Sequence, residues 1–269
     1  MDAFRDRVAV VTGGASGIGA AMARAFAARG AKLVLADIDE AALARAEREH
    51  AGRDTPVLAV ATDVSRRESV EALADAAWKR FGAAHVVCNN AGIATFGELA
   101  SAPHEDWEFT MAIDFWGVVH GIESFVPRLI DQRQGGHVLN TASMAGLVGM
   151  QGLGVYSAAK FAVVGLTEAL QRELKPHRIG VSVLCPMIVA TQIGENSQRL
   201  RPKALERVAT PPPPPEGAMV GSTVSADDVA RRVVRAIDRG DLYVLTHPEQ
   251  REILRRRAAR LDAVFDAWE

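Results

Sequence analysis

VAVVTGGASGIG, residues 8–19, runs from a short apolar segment into a turn with the spacing Gly-x-x-x-Gly-x-Gly. The apolar segment is typical of a buried strand, and the Ala-rich segment that follows as far as Arg29 is typical of a helix. Glycines at the start of a helix let the backbone approach a phosphate group, and the free N–H groups there favour its negative charge. The stretch therefore predicts a pyrophosphate-binding turn, although a tight strand-to-helix turn without a ligand has the same pattern. The turn residues expected to bind are Gly13, Ser16, Gly17, Ile18 and Gly19.

An acidic residue, Asp37, ends the next strand-like run, LVLAD, twenty residues after Gly17. A carboxylate at this place can accept hydrogen bonds from an adenosine ribose, and its charge would repel a 2′-phosphate. Neither Ser16 nor Ile38 supplies a basic residue for that phosphate. The sequence therefore favours NAD over NADP as the cofactor. An Asp that caps the following helix is the alternative, and one residue could serve both purposes.

Apolar runs alternate with amphipathic helical segments along the chain, from RVAVVTG near its beginning to LYVLT at residues 242–246. Repeated strand–helix units indicate a parallel sheet with helices on both faces. We predict an α/β fold in a single domain over residues 1–269: a doubly wound, Rossmann-like parallel sheet with a C-terminal helical extension. No shift in composition indicates a linker that would divide this domain.

Two segments interrupt the alternation. Residues 192–224 include Pro211–Pro215, which can neither continue a helix nor donate to a sheet, so we predict a Pro-rich loop there. This loop is either a disordered surface insertion or a lid over the substrate. Residues 247–269 carry apolar residues at helical steps of four and three, and this stripe is expected to pack on its own subunit or on a neighbour. The stripe consists of Leu254, Ala258, Leu261, Phe265 and Trp268.

The composition of the 269-residue chain narrows the classes of function. With 48% hydrophobic and 24% charged residues, it suits a compact soluble protein rather than a disordered or fibrous one. The polar beginning does not resemble a signal peptide, and no apolar stretch approaches the ~20 residues of a membrane span, so we predict a cytoplasmic protein without a membrane partner. The net charge of −2 argues against a nucleic-acid partner. Cys88 and Cys185 lie in apolar runs and the histidines are scattered, so neither a disulfide nor a metal site is expected.

A proton-transfer pair is indicated by Tyr156 and Lys160, four residues apart in GVYSAAKFAVVGL. On a helix these positions share one face, so a phenol and an ammonium would point into the same space. A neighbouring cation favours the phenolate, which lets a Tyr act as acid or base near neutral pH. Ser143, upstream in NTASMAG, would add a hydroxyl to hold the substrate oxygen. For the Tyr–Lys pair alone, two amphipathic side chains at a helix edge are the alternative.

The motifs, and the order in which they follow one another along the chain, resemble those of the short-chain dehydrogenase/reductase family. The resemblance covers nearly everything up to about residue 246. It implies that Tyr156 is the acid/base, that Lys160 lowers its pKa and binds the nicotinamide ribose, and that Ser143 orients the substrate oxygen. The matching positions are the glycine turn, Asp63-Val64, Asn89-Asn90-Ala91-Gly92, Ser143, Tyr156-x-x-x-Lys160 and Pro186 to Thr191.

The resemblance also implies which later segments bind the cofactor. Asp63 and Val64 would contact the adenine, and residues 90–92 would border the adenosine ribose. Val189 and Thr191 would hold the carboxamide of the nicotinamide. The cofactor-binding residues from these segments are Asp63, Val64, Asn90, Ala91, Gly92, Pro186, Val189 and Thr191, together with Tyr156 and Lys160.

Two departures from the family pattern bear on the site. Asp114 stands where the family usually has Asn, whose main-chain carbonyl holds a water that links the Lys to solvent. An Asp backbone can do the same, so we place Asp114 in the catalytic group. Met187 replaces the family's Gly after Pro186, which indicates an apolar substrate pocket. Because Asp114 could instead reflect lost chemistry, a non-catalytic protein that senses dinucleotides or scaffolds partners is the alternative.

The expected reaction is hydride transfer between NAD and a secondary alcohol or ketone, bulky and apolar. A further resemblance, in residues 180–202 and 242–265, is to bacterial dehydrogenases that oxidise the benzylic Cα alcohol of lignin-derived aryl ether dimers. Family members commonly pair through the long helices that here contain Phe115, Trp116 and Tyr156. We therefore expect a homodimer or a homotetramer.

Overall fold

The computed structural model describes residues 4–201 and 221–266. The strands are β1 Val8–Thr12, β2 Lys32–Asp37, β3 Val57–Ala61, β4 Val86–Asn89, β5 Gly136–Thr141, β6 Ile179–Cys185, β7 Val189–Ala190, β8 Val224–Ser225 and β9 Tyr243–Leu245. The α-helices are α1 Gly17–Ala27, α2 Glu40–Ala51, α3 Arg67–Phe81, α4 His104–Met111, α5 Gly117–Asp131, α6 Gly154–Leu174, α7 Ile193–Leu200, α8 Ala226–Arg239 and α9 Gln250–Asp266. Residues 112–116 form one wide, π-type turn between α4 and α5.

The main sheet has seven strands in the order β3-β2-β1-β4-β5-β6-β9. Every adjacent pair is parallel; Val10, for example, lies opposite Val34 on one side of β1 and opposite Val87 on the other. The chain moves outward from β1 to β3 and then returns to place β4 on the other side of β1. A ligand crevice is expected where the strand order reverses, outside the carboxyl ends of β1 and β4.

Helices cover both faces of this sheet. Successive strand residues point to opposite faces, so Ala9 and Val11 pack with α1 and α8, whereas Val8 and Val10 pack with α3 and α5. Burial on both faces explains why the strands are apolar runs rather than alternating patterns. The predicted doubly wound, Rossmann-like α/β fold is confirmed.

Helix α6 packs beside β5 and β6, where Val163 and Val183 share a buried cluster. The Nζ of Lys160 donates to the main-chain oxygen of Thr141, the last residue of β5, at 3.2 Å. The start of α6 therefore lies at the carboxyl edge of the sheet, beside the expected crevice. Cys88 and Cys185 are buried free thiols, as predicted.

The segment 192–224 is predicted to be a loop throughout, but both of its ends have regular secondary structure. It contains α7 near its beginning and β8 near its end, and β8 pairs with β7. Tertiary contacts stabilise α7: the Oγ of Ser197 accepts a hydrogen bond from Ala94 N–H at 2.8 Å, and Arg201 pairs with Asp106 at 3.1 Å just beyond the helix. Local sequence patterns do not reveal such contacts. Pro211–Pro215 lies outside the described residues.

The predicted C-terminal helix is α9. It begins at the buried Gln250, whose amide donates to Cys185 O at 2.9 Å and accepts from Thr246 N–H at 3.0 Å. Leu261, further along, is 54% exposed, so it does not pack on its own subunit, and packing of the stripe on a neighbour's substrate loop stays a prediction. Trp268 lies outside the described residues. Among residues 4–201 and 221–266, no helix is both long and apolar enough to cross a membrane.

Candidate active site

The glycine turn joins β1 to α1 at the carboxyl edge of the sheet. Gly13 and Gly17 have φ angles of 63° and 51°, in the left-handed region that favours glycine. A Cβ at Gly19 would lie 2.0 Å from the oxygen of Gly13, so only glycine lets the helix start this close to the turn. Ser16 precedes α1 and its hydroxyl caps none of the helix N–H groups. The start of α1 therefore presents uncapped N–H groups that can donate hydrogen bonds to an anion.

The side chain of Asp37 holds this turn by a hydrogen bond. Its Oδ2 accepts a hydrogen bond from Ala15 N–H and its Oδ1 accepts one from Asp39 N–H, both at 3.1 Å. The residue that caps α2 is Asp39, whose Oδ1 accepts from Ala42 N–H at 2.9 Å. The alternative in which Asp37 caps the next helix is therefore wrong. Asp37 lies instead at the rim of a cavity beside the turn.

This first cavity, of about 220 Å³, lies between the glycine turn and the ends of the neighbouring strands. Predicted cofactor-binding residues from four separate segments line it: Gly13, Ser16, Asp37, Ile38, Asp63, Val64, Ala91 and Gly92. Their convergence on one crevice, where the strand order reverses, is the arrangement that binds dinucleotides in doubly wound folds.

Two arginines of the first cavity were missed in the sequence. Arg45 lies on α2 and Arg199 lies on α7, with its Nη1 2.9 Å from Asp39 Oδ2. The hydrogen bond from Ala42 N–H, followed by the charges of Arg199 and Arg45, lowers the pKa of Asp39 against the opposing effect of burial. Arg199 could not be found because its segment was assigned to a loop. Arg45 could not be found because the orientation of α2 over the crevice has no local signal.

A second cavity, also of about 220 Å³, extends from the turn towards α6. Ile18, in the glycine turn, and Thr191 both line it. The Cγ2 of Thr191 lies 3.3 Å from the position that a Cβ on Gly17 would take. The glycine turn therefore lies between the two cavities. Ser143 and Tyr156, the predicted catalytic hydroxyl groups, also line it. Its wall also contains the predicted Pro186 and Val189 and the apolar side chains of Phe96, Met144, Met150, Leu153, Met187, Ile188 and Ile193.

Tyr156 and Lys160 lie on consecutive turns of α6, as predicted, with the Lys160 Nζ 5.5 Å from the centre of the Tyr156 ring. Loss of hydration raises the pKa of the Tyr156 phenol, while Lys160 and a hydrogen bond with Ser143 oppose this rise. The pKa ends above its ordinary value. Lys160 therefore lowers the pKa of Tyr156, as expected, but burial raises this pKa by more.

Asp114 lies in the middle of the wide turn 112–116 and is fully buried. Its Oδ1 accepts a hydrogen bond from Ile93 N–H at 2.9 Å and lies 3.4 Å from Lys160 Nζ. Its Oδ2 is buried without a hydrogen-bond partner in the described part of the chain. Burial raises the pKa of this carboxyl, and the ammonium of Lys160 opposes the rise. The sequence had indicated a role for the Asp114 backbone; the structure adds a side-chain contact.

Gly92 lies against the Asp114–Lys160 pair. A Cβ there would be 2.8 Å from Asp114 Oδ1 and 3.3 Å from Lys160 Nζ, so a side chain at this position would displace the carboxylate and crowd the ammonium. Burial lowers the pKa of the Lys160 ammonium, but the negative charges of Asp114 and of an ionised Tyr156 outweigh burial and raise it. Lys160 is therefore a cation in this site.

Asn90 lies behind the glycine turn rather than in the wall of either cavity. Its Nδ2 donates to the main-chain oxygen of Thr12 at 3.0 Å, and its Oδ1 accepts from Thr141 Oγ1 at 3.2 Å. Both ends of the amide are thus engaged in joining β1, β4 and β5. Contact between Asn90 and a ribose stays a prediction.

A phenol, a hydroxyl and an ammonium thus meet beside an apolar cavity that adjoins an anion-binding turn. Such a set can hold a substrate oxygen and transfer a proton to or from it. None of these side chains can accept a hydride, which in proteins is carried by nicotinamide or flavin cofactors. Within residues 4–201 and 221–266, no cluster of His, Cys, Asp or Glu is placed to bind a metal ion.

Comparison with known proteins places the chain in a family. The family model for short chain dehydrogenases matches residues 7–201. A CLA biosynthesis dehydrogenase/reductase of Lactiplantibacillus plantarum is 34% identical, over 97% of this chain and 95% of its own. A C alpha-dehydrogenase of a Sphingobium species is 32% identical, over 99% of this chain and 88% of its own. The crystal structure of a short chain dehydrogenase/reductase from Burkholderia phymatum in complex with NAD is 39% identical, covers 98% of this chain and 96% of its own, and has a TM-score of 0.91. The protein described here therefore belongs to the short-chain dehydrogenase family.

Proposed function

We propose that the protein is an NAD-dependent dehydrogenase/reductase that transfers a hydride between the nicotinamide and a bulky, apolar secondary alcohol or ketone. One observation carries this proposal: Ser143 and Tyr156 line an apolar cavity whose wall also contains Ile18 of the glycine turn. A substrate oxygen in the second cavity would thus lie beside both the proton-transfer group and the cofactor site.

The residues of the first cavity fit a nicotinamide dinucleotide. The glycine turn offers backbone N–H groups to a pyrophosphate, and side chains at Gly13 or Gly17 would be strained by the positive φ. Asp37 lies where an adenosine ribose can be bound, and Asp63 and Val64 lie where the adenine is expected. When bound, the oxidised cofactor supplies the acceptor for the hydride.

In alcohol oxidation, Tyr156 removes the proton from the substrate hydroxyl, and Ser143 holds the same oxygen by a hydrogen bond. The ammonium of Lys160 favours the phenolate that must form before this transfer. In ketone reduction the same phenol returns the proton. The catalytic group is therefore Ser143, Tyr156 and Lys160, with Asp114 next to Lys160.

The preference for NAD rests on Asp37. Its carboxylate is held by two backbone N–H groups at the cavity rim and would meet the 2′-phosphate of NADP with a like charge. Arg45 and Arg199 also line the cavity, but Arg199 is already paired with Asp39. The NAD-bound relative from Burkholderia phymatum supports the same choice.

The apolar wall of the second cavity supports a bulky apolar substrate. Met187, which replaces the family's glycine, lies in this wall together with Met150 and Phe96. Burial of apolar side chains against a ligand favours an aryl or similar group over a small polar alcohol. The similarity to a C alpha-dehydrogenase from Sphingobium adds support for a benzylic alcohol.

For assembly, we propose a homodimer or homotetramer. Trp116, at the junction of the wide turn and α5, is 49% exposed and stacks on His120 at 6.0 Å between ring centres. A second copy of α5 would cover this surface, because large exposed aromatic side chains commonly mark interfaces.

The proposal is tested by following NAD reduction at alkaline pH with a panel of aliphatic, steroid and aryl secondary alcohols. The expected result is turnover of at least one bulky secondary alcohol, with aryl alcohols preferred over short aliphatic ones. Saturable NAD binding without turnover on any of these alcohols, or of the matching ketones with NADH, would contradict the proposal and support a non-catalytic dinucleotide sensor.

A further inference from the structure

A third cavity lies at the opposite edge of the sheet from the glycine turn. Its volume is about 550 Å³, and it is lined where β1, β4, β5 and β6 begin. The strands between the two edges have four to seven residues, which at about 3.3 Å per residue separates this cavity from the cofactor crevice by roughly 13–23 Å. The cavity is therefore independent of the proposed hydride transfer.

Arginines dominate the charge of this cavity. Arg7, Arg133 and Arg178 line it, and no Asp or Glu is among its lining residues in the described part of the chain. Arg133 and Arg178 make no ion pair with any carboxylate in residues 4–201 and 221–266, whereas Arg128, close by on α5, pairs with Asp75 at 2.6 Å. Both side chains are exposed, so these two guanidinium groups are available to an anion that enters the cavity.

The backbone brings these two arginines together. Arg133 and Arg178 have positive φ angles, of 56° and 58°, in the short segments that join α5 to β5 and α6 to β6. A Cβ at Gly135 would lie 2.9 Å from the main-chain oxygen of Arg178, so glycine is required for the two turns to touch. A positive φ is uncommon for residues other than glycine, so the backbone conformation at these two positions sets where both arginine side chains leave the rim of the cavity.

The neutral side chains of the cavity add a donor. Val8 N–H donates to His85 Nδ1 at 3.1 Å, so the proton of this imidazole is on Nε2. That Nε2 donates to Gln134 Oε1 at 2.8 Å, which turns the amide –NH₂ of Gln134 away from the histidine. This –NH₂ has no acceptor in the described residues. Burial also lowers the pKa of His85 and lowers that of His137 to about 4, so the positive charge of the cavity comes from its arginines alone.

We propose that this cavity binds a small molecule that carries a phosphate group. Each guanidinium group can donate two parallel hydrogen bonds, and the Gln134 amide can donate another, so together they match the several oxygens of a phosphate. The two positive charges of Arg133 and Arg178 also exceed the charge of a single carboxylate. The concave shape and the volume of about 550 Å³ suit a metabolite rather than an extended polymer. Ile237, also in the wall, offers an apolar contact to the rest of such a ligand.

The test uses the full chain saturated with NAD, so that the glycine turn is occupied, and titrates inorganic pyrophosphate by calorimetry. Wild-type protein is expected to bind one equivalent, and Arg133→Gln/Arg178→Gln is expected to weaken binding at least about tenfold, since hydrogen bonds to charged groups are worth more than an ordinary one. Gln keeps an unbranched side chain at both left-handed positions. Arg232→Gln, at an exposed arginine on α8 outside the cavity, is the matched control and should bind as the wild type does.

Dehydrogenase kcat should be unchanged in all three proteins, which shows that the variants fold. Citrate, titrated in parallel, distinguishes the ligand class: tighter binding of citrate than of pyrophosphate would overturn the assignment to phosphate. Absence of saturable pyrophosphate binding by the wild type, or equal affinity in the double variant, would overturn the site itself.

Discussion

Asp114 Oδ1 lies 3.4 Å from Lys160 Nζ, and almost no surface of either side chain reaches solvent. An Asn at this position could still accept the hydrogen bond from Ile93 N–H but would bring no charge. The carboxylate acts on the proposed acid/base: its charge raises the pKa of Tyr156 and the pKa of Lys160. The departure from the family pattern therefore changes the electrostatics of the site and not only its backbone.

Asp114→Asn should move the pH dependence of alcohol oxidation. Oxidation requires the Tyr156 phenolate, and because removal of the Asp114 charge lowers the Tyr156 pKa, the rise of kcat/KM with pH should begin at lower pH. At the optimum, activity should change by less than about tenfold, since the turn geometry is kept. A profile that is unshifted, or shifted to higher pH, would contradict this electrostatic role. A gain of several hundredfold at every pH would indicate that the natural chain is a degraded enzyme.

Gly92→Ala should damage the same pair without removing any polar group. The new Cβ would stand 2.8 Å from Asp114 Oδ1 and 3.3 Å from Lys160 Nζ, so the carboxylate must shift from its present contact with Lys160. We expect kcat/KM to fall at least about tenfold, because small misplacements of catalytic groups slow a reaction by this order or more. Gly149→Ala, where an added Cβ meets nothing within 4 Å, is the matched control and should retain activity. Equal kcat/KM in the two variants would show that the Asp114–Lys160 contact is dispensable.

Much of the fold was predictable because local patterns and global fold agree. The apolar runs that became β1 and β2 are buried on both faces, and the glycines that became the turn have backbone angles or close contacts that only glycine tolerates. Tyr156 and Lys160 were predictable because helical spacing fixes their common face. The predictable features are thus those set within a few residues of chain.

What could not be predicted depends on contacts between distant segments. Helix α7 is stabilised by Ala94 and Asp106, about a hundred positions away in sequence, so its own residues did not reveal it. The contact of the Asp114 side chain with Lys160 requires the wide turn 112–116, which has no sequence signal of its own. The net rise in the Tyr156 pKa likewise depends on burial by the whole fold.

The preference for NAD over NADP should depend on Asp37. We expect kcat/KM with NAD to exceed that with NADP by at least roughly a hundredfold, because a carboxylate at the cavity rim meets the extra phosphate. Asp37→Ala should narrow this ratio, whereas Arg199→Ala should leave it wide, since Arg199 is already paired with Asp39. Initial rates with both cofactors measure the ratio. Equal use of the two by the wild type would refute the role given to Asp37.

Assembly should depend on Trp116. Trp116→Glu would place a charge on the surface proposed to meet a second copy, so light scattering should report a species of lower mass than the wild type. Leu99→Glu is the control for an exposed apolar residue outside both α5 and the C-terminal stripe: Leu99 is 57% exposed against 49% for Trp116, and the variant should keep the wild-type mass. Unchanged mass for Trp116→Glu would place the interface elsewhere.

The most direct test of the proposed mechanism compares Tyr156→Phe with the wild type for NAD-linked oxidation of the best alcohol found in the panel. The variant keeps the ring but loses the transferable proton, so kcat should fall by at least about a hundredfold while the affinity for NADH, followed by its fluorescence, changes little. Lys160→Ala, measured beside it, should reduce both kcat and cofactor affinity, because one ammonium serves the phenolate and the ribose. A Tyr156→Phe variant that retains more than a few per cent of the wild-type kcat would contradict the assignment of Tyr156 as the acid/base.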